Sequence, residues 1–301
     1  MPAGTVARMR GRWLAAAVVA VVVPAIAACG GDGRSGGGAQ AETPAPASDT
    51  TVATTAPPAS TTSTVADPFA RPPWLGTRLL PAGPDGSVAP QPTPPELDPR
   101  RLATIDVLPP PADGGFHATV GPVPADVAAR SSWQPACPVA LDDLRYVTVT
   151  FWGFDDRPHT GELVVHGDAA DGFVDVFRSL FDTRYPIEEM RVTSAADLDA
   201  PPTGDGNNTS AFACRPTRGS TSWSSHAYGR AVDVNPFQNP YHNGERVLPE
   251  LATSYLDRGK VRPGMIASGD VVVNALGEIG WEWGGDWTRP VDYMHFSADN
   301  R

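Results

Sequence analysis

Apolar positions fall into three regimes along the chain. Between residue 30 and about residue 67 the sequence is Gly, Ala, Ser, Thr and Pro with scarcely a large apolar side chain, so burial cannot offset the entropy of ordering it. From 68 to about 134 single apolar residues, Trp74, Leu79, Leu80, Leu102, Ile105 and Val107, stand apart between prolines. Regular periodicity begins near Cys137. Residues 144–154, rich in β-branched and aromatic side chains, read as a strand, with 161–166 as its hairpin partner. Phe173, Val176, Phe177, Leu180 and Phe181 share one helical face, and the helix they predict stops before Pro186. Residues 190–194 and 232–234 predict further short strands. Asp270 stands at the N-cap of a second helix, whose Val271, Val272, Ala275, Leu276 and Ile279 form an apolar stripe closed by Gly280. This order predicts an α+β fold over 136–301, a small antiparallel sheet with flanking helices.

The start of the chain changes the picture. Arg8, Arg10 and Arg12 precede an apolar run at 13–23, which Pro24 interrupts, and Ile26-Ala27-Ala28-Cys29 follows. The run falls short of the roughly 20 residues that cross a bilayer, and the pattern is that of a bacterial export signal. Ile-Ala-Ala-Cys resembles a lipobox, which implies a lipoprotein signal peptide at 1–28 and lipidation of Cys29. A disordered tether at 29–67 and a Pro-rich extended arm at 68–135, able to lie against the domain, would then join a membrane anchor to the folded region. The expected location is extracytoplasmic, lipid-anchored to the cell membrane in the envelope. In that oxidising setting the other two cysteines, Cys137 and Cys214, are expected to pair. The formal net charge of −11 argues against a nucleic-acid partner, and the chain is expected to act as a monomer.

Candidate chemistry gathers in the last quarter. "WSSHAYGRAVDVNP" places His226 seven residues before Asp233, an acid set between two valines, and "DYMHF" brings Asp292 and His295. In a strand Asp233 faces away from Val232 and Val234, so it can look into a cleft while they hold the core. A buried carboxylate needs a compensating charge, and a metal ion is one candidate. Two histidines and one carboxylate suit Zn²⁺ with an open fourth position, the arrangement of catalytic zinc sites. Asp292, three residues before His295, is placed to move a proton.

"SSHAYGRAVD", residues 224–233, matches the S-x-H-x-x-G-x-A-x-D signature of the zinc D-Ala-D-Ala carboxypeptidase and L-alanyl-D-glutamate peptidase family, and "DYMHF" matches its closing acid-x-x-His element. The resemblance covers roughly residues 137–297, with the two motifs in order and about 60 residues apart. It implies one zinc ion bound by His226, Asp233 and His295, Asp292 as general acid and base, and a fold shared in outline with the hedgehog signalling domain. Members that release D-Ala-D-Ala dipeptide carry glutamate where this chain has Asp292, which makes that activity less expected here. "FACRP", residues 212–216, is similar to the family's Gly-Tyr-Arg-Pro element, and by that match Arg215 holds the oxyanion or a peptide carboxylate. Ser224, Trp223 and Trp283 are taken as substrate contacts, with Trp281 and Trp287 as further cleft walls.

The resulting expectation is a zinc-dependent peptidase that hydrolyses peptidoglycan stem peptides with a metal-activated water, as a D-Ala-D-Ala carboxypeptidase or an L-Ala-D-Glu endopeptidase. The alternative is a non-catalytic wall-peptide-binding lipoprotein with a structural metal.

Overall fold

The computed structural model describes residues 67–84 and 86–300. The signal peptide 1–28, Cys29 and all but the last residue of the tether lie outside them. The regular elements are β1 (Ala118–Pro122), α1 (Ala125–Arg130), β2 (Leu144–Trp152), β3 (Pro158–His166), α2 (Ala170–Asp182), β4 (Glu189–Met190), α3 (Ala195–Asp199), β5 (Asn208–Thr209), β6 (Ala231–Asp233), β7 (Tyr241–Asn243), β8 (Arg246–Leu248), α4 (Val271–Glu278), β9 (Glu282–Trp283), β10 (Val291–Asp292) and β11 (His295–Ser297). The fold is α+β, built on several small sheets rather than one. Three are antiparallel, in the orders β1-β2-β3, β10-β7-β8 and β6-β11-β9, while β4 and β5 make a short parallel pair.

The main core lies where these layers meet. β2 turns Val147, Val149 and Phe151 inward, α2 buries Phe173, Val176, Phe177 and Leu180 against them, and α4 adds Val272, Ala275 and Leu276. The Asp270 carboxylate accepts from the amides of Val272 and Val273, as an N-cap should. Gly172 lets the two helices touch: a Cβ there would stand 2.7 Å from Ile279 Cγ2. From the other side β6 and β11 contribute Val232 and Phe296 to the same core. The metal-motif strand is therefore anchored by the apolar neighbours of its aspartate.

Two expectations change. The strand anticipated at 190–194 ends after Met190, because Ser194 caps α3: its hydroxyl accepts from the Asp197 amide, and the Asp197 side chain accepts from the Ser194 amide. The stretch 68–135 is built into the fold instead of lying on it as an extended arm. β1 pairs with β2 along five residues, and Leu80, Leu97 and Leu102 are buried with Phe237, Leu251 and Tyr255 in a second cluster.

Arg100, from the same stretch, is 2% exposed and binds the fully buried Glu188 through two nitrogens, at 2.6 and 2.7 Å. Arg71 and Asn207 also donate to Glu188. Burial alone would raise the Glu188 carboxyl, but the Arg100 charge and hydrogen bonds, followed by Arg71 and Asn207, hold it below the usual carboxylate range. Asn207 in turn accepts from the Phe237 amide, and Glu188 donates its amide to Asn235. The arm thus grips the segments on both sides of β6.

Candidate metal centre

His226 lies in a 3-10 turn, Ser225–Tyr228, whose N-cap Ser224 accepts from the His226 amide. The turn closes at Gly229 with φ of 68°, and a Cβ there would come within 2.6 Å of the His166 amide nitrogen, so only glycine fits. The chain then enters β6. Asp233 exchanges backbone hydrogen bonds with Ser210 on one side and sits directly opposite His295 of β11 on the other. Strand register alone therefore sets two of the three side chains face to face.

The geometry is a near-equilateral triangle. His226 Nε2 is 3.2 Å from His295 Nδ1 and 3.3 Å from Asp233 Oδ1, and His295 Nδ1 is 3.1 Å from the same oxygen. Donors held about 2.0–2.1 Å from a tetrahedral ion stand about 3.3–3.4 Å apart, so these three fit one zinc-sized cation. His226 Nδ1 is 2.6 Å from the Ala211 carbonyl, which can only accept. In the neutral ring that nitrogen carries the proton and the Nε2 lone pair faces the cluster, as a metal ligand requires; with no ion there, a second proton on Nε2 would charge the ring. Burial would raise the Asp233 carboxyl, but the charge of His226 and hydrogen bonds from both histidines drive it far below the ordinary range. Among the described residues this is the group of His, Cys, Asp and Glu side chains arranged to hold a metal ion.

Asp292 arrives from a different sheet, since β10 pairs with β7. Gly284 makes room for it: a Cβ there would meet the Asp292 carbonyl oxygen at 2.7 Å. Asp292 Oδ1 is buried and finds no hydrogen-bond partner. Burial pushes its carboxyl up to about 7, with Asp233 adding to the rise and His295 and Arg215 pulling against it. An orphaned carboxylate oxygen beside three converging donors is the feature expected where a water and an ion belong. Arg215 is half-exposed, within electrostatic reach of Asp292, and follows Cys214, which is bonded to Cys137.

The tryptophans need correction. Trp283 is 7% exposed, stacks on Phe296 and donates its indole N–H to the Tyr293 carbonyl, so it is core and no cleft wall. Trp281 likewise packs against Phe173, at 4.9 Å between rings. Trp287 does reach the centre, half-buried with its ring 5.6 Å from that of His295 and its indole N–H held by Asn300. Trp223 is 38% exposed on the hairpin before Ser224. The other histidines are engaged elsewhere: His117 with Asp113, His159 between Asp106 and Asp155, His166 with Asp168, and His242 stacked on Tyr293. Sequence reasoning missed the Ala211 carbonyl, because a backbone group that fixes a tautomer leaves no letter to read.

Two imidazoles, one carboxylate and an adjoining acid with one unpaired oxygen form a centre that can hold a single metal ion and pass a proton beside it. Residues 218–298, which include all four side chains, match the family model described as D-alanyl-D-alanine carboxypeptidase. This segment thus carries the pattern of a peptidase family, while Arg215 and the disulfide lie outside the match. No curated protein matches the chain, and no solved structure does either.

Proposed function

We propose that the chain is a zinc-dependent peptidase that hydrolyses the peptide stems of bacterial peptidoglycan. The observation that carries this is the 3.1–3.3 Å triangle of His226, Asp233 and His295 inside a peptidase-family segment, with Asp292 Oδ1 unpaired beside it. A bound zinc ion would polarise the scissile carbonyl and make water a usable nucleophile near neutral pH. Asp292 accepts the proton released by the attacking water and returns it to the departing amine. Arg215 supplies positive charge to the oxyanion or to a substrate carboxylate. The Ala211 carbonyl keeps the His226 ring in the donor orientation. Trp287 covers one side of His295 and limits water there.

The likeness of the fold to D,D-peptidases and to the hedgehog domain rests on the motifs. Lipidation at Cys29, an envelope location, a membrane anchor and monomeric action belong to the same proposal. Metal analysis with digestion of isolated stem peptides tests it. The expected result is one zinc per chain and products that differ from substrate by one water, from either the D-Ala-D-Ala or the L-Ala-D-Glu bond. Absence of cleavage of any wall peptide by the zinc-loaded wild type would sink the enzyme proposal in favour of a binding protein.

A further inference from the structure

Two residues, Tyr293 and Met294, separate Asp292 from His295, and separate segments of the chain hold them. The Arg258 guanidinium carbon lies over the Tyr293 ring, 4.3 Å from its centre. The same ring stacks on His242 of β7 at 5.9 Å and meets Trp283 of β9 at 6.1 Å between ring centres. The Tyr293 carbonyl accepts from the Trp283 indole N–H at 2.9 Å, and the Met294 carbonyl accepts from the Val234 amide at 2.9 Å. The Asp292 carbonyl abuts Gly284, where a Cβ would stand 2.7 Å away. Each carbonyl of the link is thus held by a contact, and the ring of its first residue is boxed in from three directions.

Arg258 is itself fixed in place. Its two terminal nitrogens donate to the carbonyls of Gln238, Tyr255 and Ile266 and to Asn239 Oδ1. These acceptors are uncharged amide oxygens, so the negative face of the Tyr293 ring is a further place where the guanidinium charge is stabilised. Asn239, fully buried, also donates to the Val234 carbonyl at 3.1 Å, which ties the seat of Arg258 to the end of the strand that carries Asp233. The acid and the ion site therefore share one reference frame. Asp292 depends on it, because no hydrogen bond at its buried Oδ1 chooses the direction of the carboxyl. That direction has to come from the backbone next to it, and Tyr293 is the neighbouring residue whose side chain is clamped. A ring enclosed only for the sake of the core would be fully buried, whereas Tyr293 is half-buried and sits in the link itself.

We propose that Tyr293, clamped by Arg258, is a positioning residue that aims the Asp292 carboxyl at the metal centre. It acts through the backbone of the link and touches neither substrate nor ion. The kinetic consequence rests on the peptidase reading above; the clamp and the placement of Asp292 stand apart from it.

The test uses the zinc-loaded full chain and its Y293L, Y293F and R258M variants on a synthetic stem peptide. Crystal structures of the wild type and Y293L give a readout that needs no cleavage. Y293L removes the ring and leaves Arg258. It should lose about 10- to 100-fold in kcat, with KM within about twofold of the wild type and one zinc per chain retained. Y293F keeps the ring and should turn over like the wild type. In the Y293L crystal the Asp292 carboxyl should stand displaced from its wild-type position. R258M leaves four acceptors without their donor, so it is assayed well below its melting midpoint. Its loss in kcat should not add to that of Y293L in the double variant, since both cut one contact. Y293M provides the check if Y293L does not fold. Wild-type kcat in Y293L, an equal loss in Y293F, an unmoved Asp292 or additive losses overturn the clamp. Loss of zinc in Y293L overturns it too, because the ring would then serve the ligands and not the acid. A wild type that cleaves nothing removes the peptidase reading, and the crystal comparison then decides the clamp alone.

Discussion

Asp233 is a carboxylate held between Val232 and Val234, with its Oδ1 within 3.3 Å of two imidazoles. Replacing it by asparagine keeps the shape and removes the charge that a divalent ion needs. D233N is expected to lose zinc affinity by at least about 100-fold, measured by competition with a chromophoric chelator. Asp292 gives the opposite result. Because its Oδ1 touches no ligand atom or other partner, D292N should retain one zinc per chain while kcat falls by about 10²–10⁴, which paired metal analysis and single-turnover kinetics would separate. At this scale the triad was legible in the letters, since His226, Asp233 and His295 stand in a recognisable spacing and the fold brings their donor atoms together. The tryptophans were not. Trp283 and Trp287 are four residues apart in one glycine-rich stretch, and only the path of the chain through Gly284 and Gly285 decides which is buried and which meets His295.

Among elements, the bidentate Arg100–Glu188 pair is the costliest contact to cut, since removing one partner leaves a charge stranded in the interior. R100M is expected to lose about 3–5 kcal/mol of stability, and the R100M/E188M double variant to recover part of it, as read from denaturant midpoints. The Cys137–Cys214 bridge closes 77 residues and should contribute about 4 kcal/mol on the chain-entropy account, so the C137S/C214S variant should unfold at lower denaturant. The bridge was expected from cysteine count and compartment. α2, α4 and the β2–β3 hairpin were readable because each repeats a pattern over at least eight residues. The built-in course of 68–135 was hidden, since Leu80, Leu97, Arg100 and Leu102 are buried singly and at no fixed interval. Burial without a period gives sequence analysis nothing to detect.

For the whole molecule, acid stability follows from two of the buried glutamates, each held by an arginine. Glu188 and Glu162, the latter bound by Arg130 and Tyr146, both have carboxyls depressed in the fold despite burial. Their contribution is complete above the unfolded glutamate value of about 4.3 and is lost as pH falls through their lower folded values. Their share of the melting temperature should therefore drop steeply below about pH 4, as thermal scans of the wild type and D292N across that range will show. Zinc should add a separate increment, about 4 kcal/mol when free metal is a thousand times its dissociation constant, absent in D233N. The proposed proton carrier and the proposed ion holders also travel on separate ribbons: Asp292 belongs to the β10-β7-β8 sheet, His295 and Asp233 to β6-β11-β9, with Tyr293 and Met294 as the link. Changes in the 241–248 ribbon can therefore shift the acid against its target while the metal stays housed, which gives selection, or an engineer, a dial for reactivity that leaves the cation's grip intact.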